Sequence, residues 1–187
     1  MQVRIMKAFI EEIHNKGMKF TMDDLARRLG ISKRTLYEHF PSKIDILDAI
    51  IEQTLTEFDE KTEKIIQDDQ LSLLEKIRSV ITLVPKYNEF YDLRILEQMK
   101  RYYPEQWERI HNALSQWDAL RELIEQGIRE GLIVERNVQL IMKLIIDATN
   151  SALDRRFFLE NSITVSDALN SIVDILLFGL INSSPEK

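Results

Sequence analysis

Residues 20–45 read FTMDDLARRLGISKRTLYEHFPSKID, and the fold of the N-terminal part of the chain follows from this stretch. The pattern predicts two short helices joined by a tight turn, and a third helix that begins at Ser42. Thr21 and Asp24 have the residue types and the spacing of a reciprocal helix cap, with Asp in place of the more usual Glu or Gln. Gly30 follows the last apolar residue at helical spacing, where a left-handed residue commonly ends a helix. This succession predicts a helix-turn-helix motif.

The second short helix has an apolar side and a polar side. Ser32 is its expected N-cap, and residues 33–40 form its body. Leu36 and Phe40 lie four residues apart and therefore point towards the same interior. Pro41 ends the helix, because a proline disfavours helical geometry in the residue before it. The remaining side chains of this helix are expected on an outward face.

The segment GISKRTLYEHFPSK, residues 30–43, resembles the signature of the tetracycline-repressor (TetR-like) family of bacterial regulators. The matching positions are Ser32, Thr35, Leu36, Tyr37, Phe40, Ser42 and Lys43. The close match covers residues 1–50, and the remainder resembles the family in length, helical pattern and placement. The resemblance implies an all-α fold of about nine helices. It implies a three-helix helix-turn-helix DNA-binding domain over residues 1–47 and a helical effector-binding and dimerisation domain over residues 48–187.

The composition describes an ordinary globular protein. A chain of 187 residues buries roughly 70% of its unfolded surface, and its contents of 44% hydrophobic and 30% charged residues are typical of soluble domains. The lack of cysteine excludes disulfides, thiol catalysis and cysteine-based zinc sites. No N-terminal signal segment is present, and the longest late apolar run, residues 175–181, is far shorter than a ~20-residue membrane span. We therefore expect a cytoplasmic protein without membrane contact.

The charge is distributed unevenly along the chain. The net charge of −6 argues weakly against a nucleic-acid partner. Residues 1–47, however, contain nine Lys or Arg and six Asp or Glu, which gives +3, and the remainder carries −9. A basic end on an acidic body is the asymmetry expected if that end contacts phosphates. Chance scatter of charge is the alternative interpretation.

Helical periodicity continues through the rest of the chain. No stretch alternates polar and apolar residues over a sustained run, so we predict no sheet. Glycines, prolines and capping residues divide the pattern into segments. The predicted helices cover residues 3–15, 42–67, 71–84, 88–101, 104–130, 137–159 and 164–181, in addition to the two short helices above.

The helix-turn-helix geometry assigns candidate DNA contacts. The second helix of such a motif lies in the major groove with its N-terminal residues against base edges. Arginine binds guanine through two hydrogen bonds, and a threonine methyl contacts a thymine methyl. The candidate base contacts are Lys33, Arg34 and Thr35; the candidate phosphate contacts are Thr21, Tyr37, His39 and Lys43; and Ser32 completes the DNA-binding set. The alternative is a three-helix domain that docks to protein through a solvated basic face.

Two apolar stripes follow near the C-terminus, one on each of the last two predicted helices. The resemblance implies that these helices pair with their symmetry mates in a four-helix dimer bundle. Two-fold symmetry places two reading helices about one DNA turn apart and matches a palindromic operator. The expected interface residues are Leu144, Ala148, Ala152, Leu169, Ile172 and Leu176. The alternative is that both stripes belong to the core of a single chain.

Aromatic side chains are concentrated between residues 58 and 117. The resemblance implies a small-molecule pocket among the helices predicted within residues 42–130. The candidate ligand contacts are Phe58, Tyr87, Tyr91, Met99, His111, Leu114 and Trp117. An aromatic stripe at helical spacing is more often plain core, and this interpretation stays open for each residue.

The sequence contains no recognisable catalytic motif. His14, His39 and His111 lie in separate segments, and no HExxH, GxSxG or phosphate-binding glycine loop is present. We therefore expect no enzyme activity, no catalytic residue, no metal and no cofactor other than an unknown effector.

Taken together, these patterns and the resemblance indicate a homodimeric, ligand-responsive transcriptional regulator. The expected form is a repressor that a small molecule releases from a palindromic double-stranded DNA operator. Two alternatives remain. The first is a ligand-independent or architectural DNA-binding protein, and the second is an α-helical interaction or enzyme module with a non-functional DNA head.

Overall fold

The computed structural model describes residues 1–85, 87, 92–151, 157 and 160–180. Over these residues the chain forms helices and turns without a β-strand, which confirms the predicted all-α class. None of the helices in these ranges has both the length and the apolar character that a bilayer crossing requires. The helices are α1 (Gln2–Lys16), α2 (Met22–Leu29), α3 (Lys33–His39), α4 (Lys43–Gln67), α5 (Leu73–Ile81), α6 (Leu93–Tyr102), α7 (Pro104–Ser115), α8 (Asp118–Arg129), α9 (Val138–Asn150) and α10 (Val165–Leu180).

The predicted caps of the helix-turn-helix are confirmed. The Thr21 hydroxyl accepts the backbone N–H of Asp24 at 3.2 Å, and the Asp24 carboxylate accepts the backbone N–H of Thr21 at 2.8 Å. Gly30 ends α2 in a left-handed conformation with φ 65° and ψ 32°. The Ser32 hydroxyl accepts the N–H of Thr35 at 3.0 Å and caps α3. These local contacts fix where α2 begins and ends and where α3 begins.

The chain forms two compact units. Unit 1 comprises Met1–Glu57 and Pro85–Asn112, and unit 2 comprises Phe58–Val84 and Ala113–Lys187. Helices α4 and α7 each contribute residues to both units. These units describe packing and not function, so the functional division after residue 47 stays a prediction.

The core of unit 1 joins the first four helices. Phe9 meets Phe20 edge to face, with ring centroids 5.1 Å apart. Arg4 on α1 donates a hydrogen bond to the carbonyl of Leu29 at the end of α2 (2.8 Å). Burial of each large apolar side chain contributes about 1.5–3 kcal/mol. Fully buried side chains of α1 to α4 are Ile5, Phe9, Ile13, Leu25, Leu36, Ile46, Leu47, Ile50 and Ile51.

Unit 2 has a separate core formed by α5, α8, α9 and α10. Helix α8 approaches the segment after it closely at Gly127, where an added Cβ would lie 2.7 Å from Cδ1 of Ile133. The Arg78 guanidinium on α5 pairs with Asp174 on α10. The buried members of this core are Ile77, Val80, Ile81, Leu120, Leu123, Ile124, Ile133, Ile141, Met142, Ile145, Val173 and Leu177.

The prediction of one helix over residues 104–130 is wrong, because the structure has two helices there. Trp117 precedes α8 with φ −121° and ψ 66°, outside helical geometry. Its ring packs against the core of unit 2 and lies 6.2 Å from the Phe58 ring. No proline or glycine marks this break, so tertiary packing of Trp117 overrides the continuous local pattern. Three other helices are shorter than predicted: α5 begins after a Ser72 cap and ends at Ile81, α6 begins after an Asp92 cap, and α9 ends at Asn150.

Candidate nucleic-acid interface

Helix α3 separates an anchoring side from an outward side. Leu36 is fully buried and Phe40 is 5% exposed, so both hold the helix to the core of unit 1. The side chains of Lys33 and Arg34 are 64% and 89% exposed, and Tyr37 is 47% exposed. Their spacing places these three on one side of the helix. The structure thus brings the principal candidate DNA contacts together on a solvent-accessible face.

Further candidates are Thr21, Ser32 and Thr35, which carry hydroxyls near the starts of α2 and α3, and His39 at the end of α3. Thr21 and Ser32 are exposed, whereas Thr35 and His39 are half-buried. The Thr21 hydroxyl donates to the Asp24 carboxylate at 2.7 Å, and the Ser32 and Thr35 hydroxyl oxygens are 2.8 Å apart. The Thr21 and Ser32 hydroxyls already serve as the N-caps of α2 and α3.

Both cations among the candidate base contacts, Lys33 and Arg34, have acidic partners. Lys33 pairs with Asp23 on α2. Arg34 donates from Nε to Glu38 one turn later at 2.9 Å. Exposed ion pairs contribute only about 0–1 kcal/mol, because water and salt screen them. A phosphate or a base edge can therefore displace either carboxylate at small cost.

Lys43 differs from the other candidates because its ammonium points into unit 1. Nζ donates to the backbone carbonyls of Met18 and Phe20, the latter at 2.8 Å, and lies 4.0 Å from the centre of the Phe20 ring. Burial lowers the pKa of Lys43 to about 8, against a smaller opposing influence of the Asp24 charge. The side chain is half-buried. Its proposed phosphate contact stays a prediction, although its geometry is not that of an outward cation.

Three residues beside the site were missed by the sequence analysis. Lys19 and Arg27 are exposed cations, one in the 3-10 turn Gly17–Lys19 and one on α2. Gln98 on α6 accepts the backbone N–H of Met18 at 2.8 Å. The charges of Lys19 and Arg27 were visible in the sequence. No sequence signal indicated Gln98, because a polar residue on a helix normally faces solvent.

The Asp24 carboxylate makes the free energy of unfolding depend on pH in the acidic range. Hydrogen bonds from the Thr21 backbone and hydroxyl lower the pKa of Asp24 to about 2. A carboxyl whose pKa is lower in the folded than in the unfolded chain stabilises the fold above its unfolded value of 3.8. That contribution is lost as the pH falls through about 2.

We therefore expect Asp24→Asn to lower the urea midpoint of unfolding near neutral pH, because the amide is a weaker partner for Thr21. The gap to wild type should narrow as the pH falls from about 4 through about 2, since the wild-type carboxyl becomes protonated first in the unfolded and then in the folded chain. Urea titrations followed by circular dichroism measure this. Asp69→Asn, at an exposed position in the turn after α4, is the matched control. A gap that persists unchanged at low pH contradicts the linkage.

The predicted interface residues divide into exposed and covered groups. Leu144 on α9 is 51% exposed, and Ala148, Ile172 and Leu176 are half-buried. Leu169 is 7% exposed and packs with Ala168, Val165 and Val84 inside unit 2. Ala152 lies outside the described residues. Leu140, which begins the predicted apolar stripe on α9, is 56% exposed, and sequence reasoning missed the apolar Ile175 on α10, which is 73% exposed.

The predicted ligand residues are distributed over both units. In unit 1, Met99 is fully buried, Tyr87 donates to Gln53 at 3.4 Å, and the exposed His111 stacks on Trp107. In unit 2, the structure brings Phe58 and Trp117 together, and Leu114 is half-buried. Tyr91 lies outside the described residues. Over the described ranges, no group of three or more His, Asp or Glu is positioned to hold a metal ion.

Comparison with known proteins gives consistent matches in sequence and fold. Residues 5–50 match the sequence model of bacterial regulatory proteins of the tetR family. The chain is 30% identical over 181 residues to YvaF of Bacillus subtilis (strain 168), an uncharacterised HTH-type transcriptional regulator, covering 96% of this chain and 95% of that protein.

Two solved structures show the same fold over nearly the whole chain. PfmR, a TetR family transcriptional regulator from Thermus thermophilus, superimposes with a TM-score of 0.76 at 24% identity, covering 96% of this chain and 100% of that one. The transcriptional regulator FadR from Bacillus subtilis, in complex with stearoyl-CoA, gives a TM-score of 0.66 at 19% identity and covers 96% and 99%. Together with the match at residues 5–50 and the YvaF alignment, the chain belongs to the tetR family of bacterial regulatory proteins.

Proposed function

We propose that this DNA-binding regulator binds a palindromic operator as a homodimer and is released from it by a small molecule. The observation that carries the DNA-binding part is the outward face of α3. There Lys33, Arg34 and Tyr37 are exposed while Leu36 and Phe40 anchor the helix. A rigid helix with a basic outer side fits the major groove, where its N-terminal residues meet base edges.

The contacts divide into two kinds. Lys33, Arg34 and Thr35, at the start of α3, read base edges, and Arg34 can bind guanine through two hydrogen bonds. Thr21, Ser32, Tyr37 and His39 contact the phosphate backbone and fix the register of the protein on the duplex.

The dimer is supported by apolar side chains that unit 2 leaves exposed. Leu140 and Leu144 lie one turn apart on α9, and Ile175 on α10 is 73% exposed. Both helices also contribute to the core of unit 2. A second copy of the chain would cover these residues through a two-fold interface, in which each contact occurs twice.

Ligand control is supported by the similarity to FadR, whose structure was determined with stearoyl-CoA. An effector that binds the DNA-incompatible form more tightly than the DNA-bound form shifts the population away from the operator. That difference in affinity sets the largest shift that the effector can produce. We infer a role in the cytoplasm and in regulation rather than catalysis, since the relatives are transcriptional regulators.

Recovery of bound DNA tests the main proposal. The purified protein is incubated with fragmented DNA of its source organism, bound fragments are sequenced, and a shared palindrome is expected. A duplex with that palindrome should bind more tightly than a scrambled duplex of equal length, and both affinities should fall with salt. A well-folded dimer without salt-sensitive DNA binding would instead indicate the interaction or enzyme module.

An effector should raise the melting temperature and weaken operator binding together. A ligand present at roughly a hundredfold excess over its Kd stabilises the folded state by about 2.7 kcal/mol. Thermal-shift screening with stearoyl-CoA as the first probe, followed by a panel of small metabolites, measures the first effect, and operator titrations measure the second. If no compound does either, the ligand-independent DNA-binding protein is the better description.

A further inference from the structure

The short turn before α2 is held by side chains from two helices distant in sequence. The turn is the 3-10 segment Gly17–Lys19, followed by Phe20. Gln98 of α6 accepts the N–H of Met18 at 2.8 Å. Lys43 of α4 donates to the carbonyls of Met18 and Phe20. The turn is thus held through one backbone N–H and two backbone carbonyls.

The Gln98 amide lies directly against the backbone of the turn. An added Cβ at Gly17 would lie 2.5 Å from Oε1 of Gln98, a distance that no real contact tolerates. Gly17 also has φ +69°, a region that side-chain-bearing residues rarely adopt. The backbone conformation favours glycine, and the absence of a side chain at Gly17 leaves room for the end of the Gln98 side chain against the turn.

Two aromatic rings lie beside the Lys43 ammonium. Its Nζ lies 4.0 Å from the centre of the Phe20 ring and 5.9 Å from that of Tyr103. Phe20 is 4% exposed and rests on Phe9. A cation above an aromatic face is attracted to the ring as well as to its hydrogen-bond acceptors. These contacts hold the ammonium at the turn.

We propose that Lys43 and Gln98 are positioning residues for DNA binding, which clamp the turn Gly17–Phe20 from two helices and so set where α2 begins. Lys43 does this in place of a phosphate contact. The inference rests on the proposed DNA-binding function. Thr21 directly follows the clamped segment and caps α2, so a displaced turn moves the start of α2. Because α2 carries α3 through their common core, the reading face moves with it.

Salt dependence separates the two roles of Lys43. Loss of a phosphate contact reduces the slope of log affinity against log salt by about 0.9. Lys43→Met should lower operator affinity roughly tenfold, through the lost hydrogen bonds to a charged donor, and leave that slope unchanged. Lys33→Met is the reference for an exposed cation at the interface and should reduce the slope. A slope that falls by about one for Lys43→Met overturns its positioning role.

Gln98 is tested by a matched pair of variants. Gln98→Leu keeps the size but removes the acceptor, whereas Gln98→Glu keeps an acceptor for the Met18 N–H. We expect the leucine variant to lose operator affinity without a change in salt slope and to lose hydrogen-exchange protection at the Met18 amide. The glutamate variant should retain both. Gln126→Leu, on α8 in unit 2, should behave as wild type.

The exchange measurement needs no DNA, so it distinguishes failure of the clamp from failure of the proposed function. If wild-type protein binds no duplex, the proposed function is wrong, and the Met18 amide still reports the clamp. If Gln98→Leu keeps Met18 protection, or keeps full operator affinity while wild type binds, the positioning role is overturned. A glutamate variant that fails like the leucine variant also contradicts it.

Discussion

Replacing Leu144 by glutamate is expected to convert the proposed dimer to monomers and to reduce operator binding by two or more orders of magnitude. Leu144 is 51% exposed in the middle of α9. In a two-fold interface the substitution introduces two carboxylates, and burying an unpaired charge is strongly unfavourable. A monomer then binds one half-site alone, which forfeits the roughly 10²–10⁴-fold gain of bivalent attachment.

Analytical ultracentrifugation over a range of concentrations measures the first effect, and operator titration measures the second. Leu132→Glu is the matched control, because Leu132 is also an exposed leucine, at 39%, in the segment between α8 and α9. It should remain dimeric. A Leu144→Glu protein that is still dimeric, or a wild type that is monomeric at every concentration, contradicts the proposed interface.

Replacing Arg34 by alanine is the second large expected effect. If Arg34 binds a guanine through two hydrogen bonds, its loss costs about 1–3 kcal/mol, or roughly fivefold to 150-fold in operator affinity. Binding to a scrambled duplex should fall much less, since the lost contact reads a base. The side chain is 89% exposed and its partner Glu38 is also exposed, so the fold should not be affected.

Arg34→Lys separates the effect of charge from that of geometry, because it keeps the positive charge but removes the planar guanidinium group. It should discriminate operator from scrambled DNA as poorly as the alanine variant does, with a salt slope like that of wild type. Arg129→Ala, at an exposed position at the end of α8, is the neutral control. Equal operator binding by wild type and Arg34→Ala excludes the proposed base contact.

The helix-turn-helix could be predicted because its determinants act over short distances. Thr21 meets Asp24, and Ser32 meets Thr35, each three residues away. Gly30 ends its helix through its own backbone conformation. Each of these features involves residues that are close in sequence, so the sequence pattern and the structure agree there.

The long-range contacts could not be predicted in the same way. A lysine in the first turn of a helix is unfavourable locally, and the sequence therefore suggested an external anion for Lys43. Its acceptors are instead Met18 and Phe20, more than twenty residues earlier. Gln98 and Met18 are 80 positions apart. The helix break at Trp117 likewise depends on packing against other helices of unit 2.

The sequence predicted which residues are exposed on α3, but it did not predict which residues are exposed on α9 and α10. Helical spacing identified the outer face of α3 from its anchors Leu36 and Phe40, because burial of two residues fixes the orientation of a seven-residue helix. In the two apolar stripes near the C-terminus, helical spacing did not separate exposed Leu144 on α9 from buried Leu169 on α10. The same pattern describes an exposed residue in one case and a buried one in the other.

If Lys33 and Arg34 contact DNA as proposed, their acidic partners have a consequence for how the protein would search a chromosome. Asp23 and Glu38 pair with Lys33 and Arg34 in the protein alone. A duplex would gain from these cations only the difference between its own contact and the carboxylate contact that it displaces. Random sequence offers no compensating base hydrogen bond, so the protein would dwell there briefly and slide or dissociate sooner. On the proposed function, the two carboxylates would shorten each unproductive stop and leave more of the search time for new sites.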